Sequence, residues 1–349
     1  VGHAASALLQ NLEAWPRDAC AYRAMKVWQP GGGRIEFCAR ALGFAHLGHI
    51  VANRDLIAGL RANLQRDARA TLFEQTEITA IAPDGERGLR VQLGGPSPES
   101  LAARLLVGAD GARSTVRELA GITCRRRDFA QDAITATVAV DNHRHTAWQV
   151  FLDAGPAALL PQADGRCALV WSCRRPLADE LCALPGPEFC ARLQAAFDGD
   201  GDAPGGITDC GRRRRFALIQ HHADAYIAPS VALIGDAAHA IHPLAGLGAN
   251  LGLADAAALA EVAAAAGERG RRIGGYATLR RYERRRRADN AAVVALMAAL
   301  HDLFSARAPV VQFARAAGLN LTDKSPALKT AFAKFADRLA GDRPQSRRV

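Results

Sequence analysis

The sequence predicts an α/β chain of two domains, and three observations predict it. At two places, near residues 102–114 and 231–266, a short apolar run ends in a glycine-containing turn and a helical pattern follows. Between them, about residues 130–228, several strand-like runs are interrupted by one helical stretch. The chain has 349 residues, 49% of them hydrophobic, which suffices for two cores at roughly 100–200 residues per domain.

Taken in order, residues 3–14 place Ala7, Leu8, Leu9 and Leu12 at amphipathic-helix spacing, up to a break at Pro16. Met25, Val27 and Trp28 precede Gly31-Gly32-Gly33, and Ile35 and Phe37 follow it, which is the pattern of a hairpin. Asn53 caps a helix carrying Leu56, Leu60 and Leu64. Glu77–Ile81 and Gly88–Leu93 read as strands joined by a Pro83-Asp84-Gly85 turn, and a polar loop at 94–100 leads to a single buried strand over Ala102–Val107. Thr135–Val140, Trp148–Leu152, Ala168–Ser172 and Arg215–Gln220 form an antiparallel sheet, with a helix at Glu188–Phe197 and a Gly/Asp/Pro loop at 198–206. The strand Val231–Ile234 precedes a long Ala/Leu helix from about Leu251 to Ala266. Residues 276–339 are helical, and 340–349 form a polar, frayed end.

Composition excludes several classes. The net charge of +9 is arginine in excess, since only Lys26, Lys324, Lys329 and Lys334 are lysines. Aromatics make up 6%, and no basic stretch carries interleaved aromatics, so no nucleic-acid partner is expected. No uninterrupted apolar run reaches the roughly 18 residues of a membrane span, and no signal peptide opens the chain. The eight cysteines include no C-x-x-C pair and read as reduced thiols of a cytoplasmic protein.

Two constellations carry chemistry. In Gly108-Ala-Asp-Gly-Ala-Arg-Ser-Thr-Val-Arg117 a strand turns into a helix whose free N–H groups favour an anion, with Arg113 and Arg117 adding positive charge. The alternative for this block alone is an ordinary turn capped by Asp110. In Gly235-Asp-Ala-Ala-His-Ala-Ile-His-Pro-Leu-Ala-Gly-Leu-Gly-Ala-Asn250 a carboxylate at a strand end suits a polyol hydroxyl, and the following helix N-terminus suits developing negative charge. Asp236, His239 and His242 do not form a metal site, because Pro243 breaks the helix that would align the histidines, and His46 and His49 read as a structural pair. Together the two blocks meet the needs of a dinucleotide with a redox-active ring.

With these blocks the chain resembles the flavin-dependent aromatic hydroxylases of the p-hydroxybenzoate hydroxylase type, and among them the ubiquinone-biosynthesis hydroxylases (the UbiH, UbiF and VisC group). Tyr282-Glu-Arg-Arg-Arg-Arg-Ala-Asp-Asn290 and His46-Leu-Gly-His-Ile-Val-Ala-Asn-Arg54 extend the likeness to about residues 1–305. The resemblance implies a Rossmann-like three-layer FAD/NAD(P)-binding domain (1–18, 48–123 and 229–305), an antiparallel-sheet substrate domain (19–47 and 124–228) and a C-terminal helical tail (306–349). It implies that Asp110, Gly111 and Arg117 lie near the FAD pyrophosphate and the nicotinamide donor. Gly235 and Asp236 would hold the ribityl chain. Pro243, Gly246, Leu247, Gly248, Ala249 and Asn250 would curl round the pyrimidine edge of the flavin, and Arg54 would reach the FAD phosphates.

The implied activity is hydroxylation of an aromatic ring, a polyprenylated phenol in ubiquinone biosynthesis, with FAD as cofactor, NADH or NADPH as electron donor and O2 as co-substrate. Peripheral contact with a membrane, or membership of a ubiquinone-biosynthesis complex, goes with such a substrate. Two departures stand out. Leu247 occupies the place of a family glutamine in the flavin loop, removing one side-chain partner, and Ala254 replaces an arginine. The N-terminal strand, G-x-G-x-x-G turn and helix of the family are not found, so a complete enzyme of about 390 residues is expected, taking that unit as roughly 40. The alternatives are a relative that does not bind FAD and serves as a scaffold, and a reductase- or halogenase-like flavoenzyme.

Overall fold

The computed structural model describes residues 1–95, 99–198, 204–306 and 308–339. The loops expected at 94–100 and 198–206 lie partly, and the 340–349 end wholly, outside the described residues. Contacts divide the chain into two compact units, one built from 1–60, 128–218 and 298–338, the other from 61–127 and 219–297. These units group 1–18 and 48–60 with the large sheet, a different partition from the functional domains that the resemblance implies.

The first unit begins with α1 (His3–Asn11) and the small pair β1 (Cys20–Tyr22) and β4 (Gly48–Ile50). Its main sheet contains β2 (Ala24–Trp28), β3 (Arg34–Cys38), β9 (Cys124–Val140), β10 (Thr146–Leu152), β11 (Gly155–Pro161) and β12 (Cys167–Arg174), in the order β3-β2-β10-β11-β12-β9. The β2–β3 hairpin closes over Gly31-Gly32-Gly33, as expected. Neighbours run antiparallel except β2 and β10, which are parallel. Alternate residues such as Ala157 and Leu159, or Leu169 and Trp171, are buried, so one face of the sheet is apolar. Against these pack α4 (Arg175–Ala183) and α5 (Gly186–Phe197) through Leu181, Phe189, Leu193 and Phe197.

Among the elements that the sequence reading does not place are a strand and a helix next to prolines. Strand β11, framed by Gly155, Pro156 and Pro161, forms regular ladders on both sides. Helix α4 has Pro176 in its first turn, where proline is well tolerated. Strand β13 (Ile207–Cys210) pairs with β9, and α8 (Pro309–Lys324) and α9 (Pro326–Leu339) end the unit.

The second unit holds an antiparallel sheet of β5 (Glu77–Pro83), β6 (Leu89–Gly94) and β7 (Ser100–Ala103), and a three-stranded sheet of β8 (Leu106–Gly108), β15 (Ile227–Ala228) and β16 (Val231–Leu233). The single strand expected over Ala102–Val107 is therefore two strands in different sheets, and Val107 is 36% exposed. A strand running through both sheets would need one register for two partners, one antiparallel and one parallel. Short α3 (Thr115–Leu119) follows β8, and α6 (Gly248–Gly267) follows β16 after a loop that contributes β17 (His239–Ala240). Its core joins Val91, Leu93, Val116, Tyr226, Leu233 and Leu259 to Leu279 and Tyr282 of α7 (Tyr276–Ser305). By length and apolarity α6 would suffice to cross a membrane, but Leu251, Asp255, Ala258 and Leu259 are buried inside this unit. Helices α2 (Asn53–Arg66) and α7, and strands β9 and β14 (Arg214–Ala223), run from one unit into the other.

Candidate cofactor site

Strands β8 and β16 lie side by side and parallel, with Leu233 opposite Gly108. Both glycine–aspartate turns therefore leave the sheet at the same edge, the carboxyl end, where open α/β sheets bind ligands. The two blocks that are far apart in sequence are brought together by this one register. Arg117 ties them: it is 4% exposed, and its guanidinium donates to the carbonyls of Ala237 (2.8 Å) and Ala112 (3.0 Å).

The first turn is satisfied from within. The Asp110 carboxylate accepts the Ser114 hydroxyl and the Val116 N–H (3.0 Å), and Ser114 Oγ accepts the Arg117 N–H (2.9 Å). The N–H groups that the sequence offered to an anion are thus used by Asp110 and Ser114, a capping arrangement. Gly111 sits at φ +82° with open space where a Cβ would be. Arg113 is exposed.

The second turn is held from outside. Gly235 N–H donates to Asp255 Oδ2 (3.1 Å), and Ala238 N–H donates to the Gly235 carbonyl (2.9 Å). His221 Nε2 donates to the Asp236 carbonyl (2.7 Å), and Arg117 to that of Ala237. Gly235 has φ +56°, and its missing Cβ would stand 3.6 Å from the Gly252 Cα of α6, so helix and turn meet backbone to backbone. The Asp236 carboxylate itself is exposed and has no hydrogen-bond partner among the described residues.

Beneath this turn lies a network that sequence reasoning missed. Asp255 is fully buried and accepts from His239 Nε2 (2.6 Å), Arg286 Nε (2.8 Å) and Asn290 Nδ2 (3.0 Å), while Arg286 also donates to Asn290 Oδ1 (3.0 Å). Burial pushes the Asp255 carboxyl up, but His239 and Arg286 outweigh it and hold it below the ordinary range. Tyr282 donates to the Leu233 carbonyl (2.7 Å), and Glu283 accepts the Tyr226 N–H (2.9 Å). Tyr282, Arg286 and Asn290 recur every four residues along α7, so one helix face carries all three. That spacing within an arginine-rich run was the available signal. His239 is committed to Asp255 rather than to a metal with Asp236 and His242.

The loop between the turn and α6 is open. Pro243–Ala245 form one 3-10 turn, and Gly246 is left-handed (φ +59°) with free space at its missing Cβ. Leu247, at the position of the family glutamine, is buried, 8% exposed. No side chain caps α6, which leaves the first-turn amides of Gly248 and Ala249 for a ligand, and Asn250 is buried in that turn. Arg54 belongs to the first unit, where its side chain is 88% exposed and donates from Nε to Asp55 (3.1 Å). His46 and His49 pack ring to ring at 4.2 Å, with Trp15 edge-on to His49. Burial lowers both, His49 to about 4.

Comparison with known proteins identifies the family. Residues 46–297 match the family model described as FAD binding domain. The chain is 40% identical over 291 residues to the ubiquinone hydroxylase UbiL of Rhodospirillum rubrum, covering 83% of this chain and 66% of that protein. It is 32% identical over 342 residues to the 3-demethoxyubiquinol 3-hydroxylase of Escherichia coli K12, covering 96% and 85%. Among solved structures, Pseudomonas aeruginosa PqsL in complex with 2-aminobenzoylacetate superposes with a TM-score of 0.77 at 26% identity, over 91% of this chain and 87% of that one. The p-nitrophenol 4-monooxygenase PnpA of Pseudomonas putida DLL-E4 shares the fold, with a TM-score of 0.77 at 20% identity and coverage of 99% and 87%. The chain belongs to the FAD-dependent aromatic monooxygenases, in the group that holds the ubiquinone-biosynthesis hydroxylases.

Proposed function

We propose that this protein hydroxylates the aromatic ring of a polyprenylated ubiquinone precursor, taking electrons from NADH or NADPH and oxygen from O2. One observation carries the assignment of its site: Asp236 is an uncommitted carboxylate on a turn whose backbone is held on every side. A free carboxylate at a strand end fits a hydroxyl of the ribityl chain of FAD, and the uncapped amides of Gly248 and Ala249 fit the polar pyrimidine edge of its ring. When bound, the flavin supplies the redox chemistry that activates oxygen, and the protein orients it and excludes water. Pro243, Gly246 and Leu247 shape that edge, with Asn250 behind them. Gly111, Asp110 and Arg117 act by holding the neighbouring turn in place, and Arg54, exposed and paired through Nε with Asp55, keeps its other guanidinium N–H groups for a phosphate. The scaffold reading gains no support, because a non-binding relative has no need of so rigid a turn.

The tail supports a membrane-peripheral, cytoplasmic site of action. Val310, Phe313, Leu321 and Phe332 of α8 and α9 stand 55–79% exposed, and residues 306–349 hold nine Lys or Arg against three Asp. Apolar side chains beside an excess of basic charge suit an anionic lipid surface, where a prenylated substrate resides.

The test is Asp236→Ala in the full-length protein. Loss of the yellow flavin on purification, with an unchanged melting curve for the apoprotein, is the expected result. Stoichiometric FAD in the variant would overturn the assignment.

A further inference from the structure

Cys190 and Cys210 belong to the first unit, whereas both glycine–aspartate turns belong to the second. Cys190 is on α5 and 6% exposed, and Cys210 ends β13 and is half-buried. Their Sγ atoms are 2.7 Å apart, much closer than two sulfurs rest in ordinary contact and not far beyond the roughly 2.05 Å of a disulfide. Both backbones are held. Ile207 N–H donates to Gln194 Oε1 on α5 (2.7 Å), Cys210 pairs with Val138 of β9, and Gly211 N–H donates to the Thr137 carbonyl (2.8 Å). Arg213 stacks over Phe189, one residue before Cys190, at 4.9 Å. The contact is thus imposed by packing on two sides rather than by the thiols themselves.

We propose that Cys190 and Cys210 are a site of oxidative modification, closing to a disulfide under hydrogen peroxide. Cys210, the more accessible thiol, loses its proton to solvent and its sulfur attacks one peroxide oxygen. The O–O bond breaks, leaving a sulfenic acid and one water after protonation. Cys190 sulfur then attacks the Cys210 sulfur, the S–O bond breaks, and hydroxide leaves to take up the Cys190 proton as the second water. Two thiols and one peroxide thus become one disulfide and two waters. Burial raises the Cys210 thiol above its ordinary range, with the neighbouring Cys190 next in effect, so the thiolate fraction is small and the step is slow at neutral pH. The bond would tie α5 to β13 across the segment between them.

The experiment uses the reduced chain of 349 residues, which has eight thiols. It is treated with hydrogen peroxide, unfolded in an alkylating agent and mapped by mass spectrometry. The expected result is loss of two thiols to one cross-linked peptide pair containing Cys190 and Cys210, restored by dithiothreitol, with an upward shift of the melting temperature. C190S should form no cross-link and accumulate Cys210 as sulfenic or sulfinic acid, whereas C210S should keep its remaining thiols under the same treatment. In the unmutated chain, eight alkylated thiols, a cross-link between other cysteines, or over-oxidation of Cys210 alone to sulfinic acid would overturn the proposal. The map of the unmutated chain decides the matter even where a variant fails to fold.

Discussion

The two glycine–aspartate turns of the second unit look alike in sequence and have opposite fates. Asp110 spends its carboxylate on Ser114 and on the Val116 N–H, so it caps the helix that it introduces. Asp236 spends only its backbone: Asp255, His221 and Arg117 hold the groups around it, and its carboxylate is left over. The lesson is that a ligand-binding carboxylate is recognised by what it does not bind within the chain. A turn can keep one side chain free only when other residues satisfy its main chain.

The comparison can be broken at its supports. The largest effect is expected for Asp255→Ala, which leaves Arg286 buried without its counter-charge and removes the acceptor of Gly235 N–H. A loss of about 3–5 kcal/mol in urea unfolding is expected. A loss below about 1 kcal/mol would mean that the second turn stands without this network. Arg117→Met deprives the Ala112 and Ala237 carbonyls of a charged donor and should cost about 2–3 kcal/mol, together with weaker FAD retention. If it lowers stability with FAD affinity intact, the tie between the turns is structural only.

Acid should separate the turns. Burial lowers His222 to about 4, with His239 next in effect, and His222 neighbours His221, which holds the Asp236 carbonyl. A histidine depressed on folding takes up its proton more readily in the unfolded chain. Its contribution is therefore present above pH ~6.5 and fades as pH falls towards 4. His222→Gln should flatten the melting temperature between these values, a gain of about 2 kcal/mol at the acid end relative to wild type. An unchanged acid limb would place the sensitivity at His49 in the first unit, which burial also lowers to about 4.

The smallest stability effects give the sharpest contrast. Asp110→Ala removes a cap and should cost about 1 kcal/mol. Asp236→Ala should stay within about 0.5 kcal/mol and yet lose the cofactor. Equal stability losses in the two variants would erase the distinction between the turns.

Much of this was legible beforehand. The Gly31–Gly33 hairpin, both turns and the long helix α6 follow from local chemistry, since glycines, alanine content and alternation act over a few residues. The division of Ala102–Val107 was hidden, because apolar character alone does not say which partner each half pairs with. Strand β11 and helix α4 were hidden by prolines whose meaning depends on position. The Asp255 network was half visible, as a four-residue repeat along α7 with no stated target. The sequence by itself determined that two aspartates sit on sharp turns after short strands and that a helix N-terminus follows the second. Only the tertiary structure decided which aspartate is free. The residues that hold the backbone of its turn come from 15, 20 and 120 residues away in the chain, and hydrogen-bond saturation of a turn is a property of everything packed around it.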